Sequence, residues 1–174
     1  MAITATFRQQ VGTSKTFKSS GGDAAITMTS VADAAARQSV KLDLGATFAT
    51  MWRVNAAVEM AATPTAGRTV DLFWAPSNSG TAGTDNPANV SGTDAAYTGY
   101  SSNLAASVKQ LVYIGSLILT AQATNTVQVG EVGTFRPPSR YGSLVVVNSG
   151  GSAFHSSATN VVFTFTPLEE TAEA

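Results

Sequence analysis

The chain carries one histidine, His155, in the run SGGSAFHSS, and no cysteine. A hydrolase of the Ser–His–acid kind needs a base beside a nucleophile and a third group to orient that base. A lone histidine in a Gly/Ser-rich loop offers neither, and is expected to face solvent or pack at an interface. Zinc takes three or four His, Cys or carboxylate ligands, which one histidine without cysteine does not supply. Asp43, Glu59, Asp71 and Glu131 would serve glycoside hydrolysis only by converging in a cleft. Each falls instead on the polar side of an alternating pattern and is expected on a solvated strand face. Asp85 and Asp94 lack the spacing of a calcium loop. Gly12-Thr13-Ser14-Lys15-Thr16 lacks the glycine that precedes the lysine of a phosphate loop. Asn89-Val90-Ser91 fits a glycosylation acceptor, but the N-terminal stretch has no apolar signal region, so it is expected to stay unmodified. The expectation is a non-enzyme with no catalytic residue, metal or cofactor.

Binding chemistry is easier to place. Tyr97 and Tyr100 lie in a long polar stretch over 75–103, rich in Gly, Ser, Thr, Asn and Pro. They would act either as stacking platforms for a sugar or as anchors that pin the stretch to the scaffold or to a neighbouring subunit. Arg136 and Arg140 flank Pro137 and Pro138 and precede Tyr141. Arg and Tyr are enriched where interfaces concentrate their energy. The rigid Arg136, Pro137, Pro138, Arg140, Tyr141 loop is therefore a candidate protein contact, beside the alternative of a surface turn with solvated arginines. Trp52 and Trp74 fall on core-pattern faces.

These segments hang on strands. Over 51–60, Trp52, Val54, Ala56, Val58 and Met60 share one face and Arg53, Asn55, Ala57 and Glu59 the other, a period of two. Val40, Leu42 and Leu44 alternate with Lys41 and Asp43, and Val70, Leu72 and Trp74 with Asp71 and Phe73. Strands are also expected over 111–120, 126–135, 143–147 and 160–166, with shorter ones over 3–7 and 26–29. Gly130 and Gly133 suggest a bulge in the 126–135 strand. The 30–38 stretch reads as a helical turn or a loop, and 104–109 as a short helix. No sustained helical stripe exists. The prediction is an all-β, single-domain β-sandwich of jelly-roll type with about eight strands and a long polar crossover loop over 75–103. An N-terminal arm over 1–22, a sandwich over 23–167 and an acidic tail over 168–174 complete the division.

At 174 residues the chain suits one domain, and only 12% of its residues are charged, about half the usual share. A surface so low in charge is either Ser/Thr/Asn-polar or extensively covered by other protein. The formal net charge is −1, with no basic stripe for nucleic acid and no polybasic or spanning segment for a membrane. The expected product is made in the cytoplasm and has neither nucleic acid nor membrane as a partner.

Six blocks in order carry a family resemblance: ARQSVKLDLGA (36–46), RVNAAVEMAATPTAGRTVDLFWAPS (53–77), GTDAAYTG (92–99), QLVYIGSL (110–117), PSRYGSLVVVNSGGSAF (138–154) and FTPLEE (165–170). Together they resemble a family of tailed-bacteriophage virion structural proteins. The resemblance spans about 24–170 and leaves 1–22 outside it. It implies a jelly-roll head decoration, or cement, protein that binds the outer shell as a homotrimer and bridges capsomers. Its implied partners are the major capsid protein and further copies of itself, and its implied location is the head surface of the virion. The alternative is a tail, neck or fibre domain that binds a host glycan. An arm over 1–22 would reach a neighbouring subunit.

Overall fold

The computed structural model describes the backbone of residues 6–173 and the side chains of 12–157 and 159–168. Twelve strands form two six-stranded sheets. They are β1 (Thr6–Val11), β2 (Lys15–Lys18), β3 (Ala24–Ala25), β4 (Ala36–Gln38), β5 (Leu42–Asp43) and β6 (Met51–Glu59), followed by β7 (Thr69–Ser77), β8 (Ala95–Tyr97), β9 (Val112–Ile118), β10 (Val127–Phe135), β11 (Tyr141–Ser149) and β12 (Val162–Glu173). The first sheet runs β10-β6-β12-β2-β3, with β1 added on β12. The second runs β8-β4-β11-β7-β9, with β5 added on β11. The fold is thus an all-β sandwich, as the alternation predicts. The strands beyond the expected eight are mostly two to four residues long, too short to show a period. The 30–38 stretch ends in β4 after turns at Ser30 (φ 53°) and Ala34 (φ 62°). The 104–109 helix is present as α1 (Leu104–Ser107) continuing into a 3-10 turn.

Between the sheets lies the main core, filled by the inward residues of β6 (Trp52, Val54, Ala56, Val58) and by Leu72, Trp74, Leu144, Val146, Phe163 and Phe165. Its aromatic centre joins the two layers. Trp74 of the second sheet lies 5.8 Å from Phe165, 5.7 Å from Phe135 and 6.4 Å from Phe17 of the first, within the range where tilted rings attract. The indole reaches that centre over Gly142, where any Cβ would strike its ring.

The two sheets also touch along one side. Val132 bulges out of the β10–β6 ladder and Ile114 out of the β7–β9 ladder. At that seam Gly115 lies against the Val132 carbonyl, where a Cβ would collide. A bulge bends and twists its strand, and here the two bends bring the sheet edges together.

The acidic stretch over 168–174 is where expectation and structure part. It does not hang loose. Through Glu173 it is the outer half of β12, paired antiparallel with β1 in a ladder from Val11↔Leu168 to Thr6↔Glu173. The arm expected over 1–22 accordingly holds β1 and β2, both in the first sheet, while residues 1–5 and 174 lie outside the described residues.

Candidate functional site

The polar stretch over 75–103 does not project freely. Its first residues extend β7 to Ser77, and the rest folds back over the outer face of the second sheet. Ala88, Val90, Tyr97, Leu104, Val108 and Leu111 pack there on Ala36, Phe73, Ala75, Val145 and Val147, making a second apolar cluster. This explains the run Leu144-Val145-Val146-Val147: alternate residues face the main core and the loop, so β11 is apolar on both sides.

Hydrogen bonds fix the cover. Tyr97 is 2% exposed, and its hydroxyl donates to the Ala88 carbonyl at 2.7 Å. Ala88 is a non-glycine residue at φ 55°, a conformation that persists when its surroundings hold it. Burial pushes the Tyr97 phenol above its ordinary pKa. Tyr97 is therefore an internal anchor, unavailable to a partner or a sugar. Tyr100 is 51% exposed. Asp94 accepts from Thr27 N at 3.0 Å and from Arg37 Nε at 2.8 Å. Burial acts to raise its pKa, but these hydrogen bonds outweigh burial and hold the carboxyl below its ordinary value.

Lys41 organises the near end of the loop. Its ammonium donates to Ser77 Oγ at 2.7 Å and to the carbonyls of Ser79, Thr81 and Thr84 at 2.7, 2.8 and 2.6 Å. The loop residues 79–84 wrap round a side chain from outside the loop, and the charge adds to the loop's own turn hydrogen bonds, from Thr84 N to the Thr81 carbonyl at 3.3 Å and from Thr81 N to Ser79 Oγ at 3.2 Å. Burial pulls the Lys41 pKa down, while Asp85 opposes that. The Asp85 carboxylate in turn receives the Asn78 amide at 2.8 Å.

The Arg136–Tyr141 segment lies against this same end. Arg140 makes a two-pronged ion pair with Asp43, Nε to Oδ1 at 2.7 Å and Nη2 to Oδ2 at 2.6 Å. That pair holds the Asp43 carboxyl below its ordinary value. Arg140 also lies 4.9 Å from the Tyr141 ring centre, and Tyr141 packs beside Gly80 of the loop. Ser139 accepts the Ser77 amide at 3.0 Å. Arg136 and Pro138 are exposed, Arg140 and Tyr141 half-buried, and Pro137 is buried, turned away from any partner. Between the two loops opens a cleft of about 410 Å³, bordered by Pro76, Asn78, Asp85, Pro87, Pro138 and Ser139. The structure thus brings Arg136, Pro138, Arg140 and Tyr141 together at one end and leaves Tyr97 and Tyr100 in a separate part of the cover.

The acids behave differently from one another. Asp43 is exposed and Asp71 partly so, but Glu59, expected on a solvated face, is 3% exposed. Asn160 Nδ2 covers it, donating to Glu59 Oε2 at 2.8 Å. His155 Nδ1 lies 3.7 Å from the same oxygen but accepts the Ser157 backbone N–H at 3.0 Å, so that nitrogen is engaged with the backbone and not with a nucleophile. No group of three or more His, Cys, Asp or Glu converges among the described residues. Sequence reasoning missed Lys41, because a lysine alternating with Val40 and Leu42 reads as solvated. The clue lay in the loop, whose carbonyl-rich Ser77–Thr84 segment has no cation of its own.

Comparison with known proteins finds no matching family model, curated protein or solved structure.

Proposed function

We propose that this chain is a structural protein of a tailed-bacteriophage virion, a decoration protein of jelly-roll type that binds the outer head shell and bridges capsomers. The observation that carries the reading is the fixed loop end. The Lys41 cage and the Arg140–Asp43 pair hold two loops in one arrangement, presenting exposed Arg136 and Pro138. A contact surface ordered before it binds loses little conformational freedom on docking, so more of the contact energy appears as affinity. In this reading Arg136, Pro138, Arg140 and Tyr141 meet the major capsid protein. The protein needs no active site, and low charge limits repulsion between copies crowded on one particle. The alternative, a glycan-binding tail or fibre domain, loses Tyr97 as a platform and keeps Tyr100.

Fractionation of purified particles into heads and tails tests the proposal. The chain should be recovered with heads, in fixed proportion to the capsid protein, and Arg136→Glu with Pro138→Ala should lower its occupancy. Recovery only with tails, or absence from particles, would sink it.

A further inference from the structure

The outer faces of the two sheets are finished differently. The loop covers that of the second sheet with a continuous apolar cluster. Among the described residues the first sheet has no apolar cover of this kind, only Asn160 and His155 over Glu59 at one end. Its strand register sets Val129, Ala57 and Val162 in one row across β10, β6 and β12, and Asn55 and Thr164 in the next, beside Glu131. Val129 is 73% exposed. Among the described residues, two opposite charges on this face have no ion-pair partner. Arg53 makes no ion pair among the described residues, and its Nε is enclosed with no hydrogen-bond acceptor. Glu131, exposed, makes none either. Glu131 stands opposite Asn55, two residues from Arg53 on β6.

We propose that a second copy of this chain docks on the outer face of the first sheet. The Val129–Ala57–Val162 rows pack together, and Arg53 of each copy meets Glu131 of the other. A face that carries both an unpaired cation and an unpaired anion beside an apolar row is complementary to itself. An apolar row left open would expose surface that monomers usually cover or break with charge. A partner of one sign would satisfy only one of the two charges, which is why the face selects its own copy. This contact is separate from the loop end assigned above to the capsid.

The test is the mass in solution of the full chain by light scattering across a concentration series. Wild type should be a multiple of 17.8 kDa. Val129→Arg, at an exposed position, should give a folded monomer whose melting temperature no longer depends on protein concentration. Thr164→Arg, on the next row, should do the same and stands in if Val129→Arg fails to fold. Arg53→Glu and Glu131→Arg should each weaken association by about tenfold or more, and the double variant should regain it. A monomeric wild type, an unchanged mass in the row variants, or a double variant no better than the singles overturns the inference. Because no heads enter the measurement, a monomer that still binds heads overturns this inference alone. An oligomer absent from particles overturns only the virion reading.

Discussion

Lys41 Nζ and Ser77 Oγ lie 2.7 Å apart across 36 residues of chain, and that contact makes the loop end a single unit. The ammonium offers three hydrogens to four oxygens, so the loop carbonyls share a charge, not a neutral donor. Lys41→Met removes it while keeping most of the stem. The expected cost is about 2 kcal/mol of stability, with faster amide exchange confined to 79–92. Lys41→Arg should not restore it, since a planar fork does not fit a cage built round a point charge. Exchange unchanged from wild type would show that the loop holds its shape alone.

The Tyr97 hydroxyl should matter far more than that of Tyr100. Tyr97→Phe leaves the buried Ala88 carbonyl without its donor and should cost about 1 kcal/mol. Tyr100→Phe, at an exposed position, should stay within about 0.5 kcal/mol of wild type. Paired denaturant titrations measure both, and equal effects would remove Tyr97 as the anchor of the cover.

Gly142→Ala drives a methyl group into the Trp74 indole. Overpacking of this kind costs about 1–3 kcal/mol, and the displaced ring should change the tryptophan emission. Gly67→Ala, where a Cβ meets nothing within 4 Å, tests strain from its φ of 83° without a collision. It should destabilise the fold and leave the emission unchanged.

Acid should loosen the cover through Asp94. Its folded-state pKa is depressed, so its stabilising contribution is present above the unfolded value and is lost as pH falls through the folded one. Melting temperature should therefore drop on acidification, with Asp23 and Asp43, also depressed, adding to the fall. Asp94→Asn should be less stable than wild type at neutral pH and lose less on going to acid. A parallel pair of curves would remove Asp94 from the account.

The long strands were legible because burial imprints its period on them: Trp52 through Val58 alternate cleanly, and the residues Leu144–Val147 betray a strand apolar on both faces. Short strands such as β4 and β8 exist only through the partners that their register supplies, Ala36↔Tyr97 among them, and local pattern carries no trace of such pairing. Glu59 misled because alternation tells which side of a strand a residue takes, not whether a later segment, here Asn160, comes back to cover it. Composition left the loop open between a sugar platform and a segment pinned to the scaffold or a neighbour, because its apolar residues, Val90 and Tyr97, are sparse and irregularly spaced. Tyr97, 2% exposed, is the scaffold anchor of those two readings. At the other candidate loop, two arginines in one hexapeptide look alike in sequence, yet Arg140 is committed to Asp43 and Arg136 is not.

The ladder that sets Thr6 against Glu173 has a practical consequence for anyone handling the protein. Thr6 and Glu173 are paired neighbours at the end of that ladder. An affinity tag or a displayed peptide joined directly at Thr6 or at Glu173 would start from the same side of the first sheet. Joining the two ends by a short linker and opening the chain in the exposed 121–126 turn should give a permuted protein that keeps every pairing in both sheets.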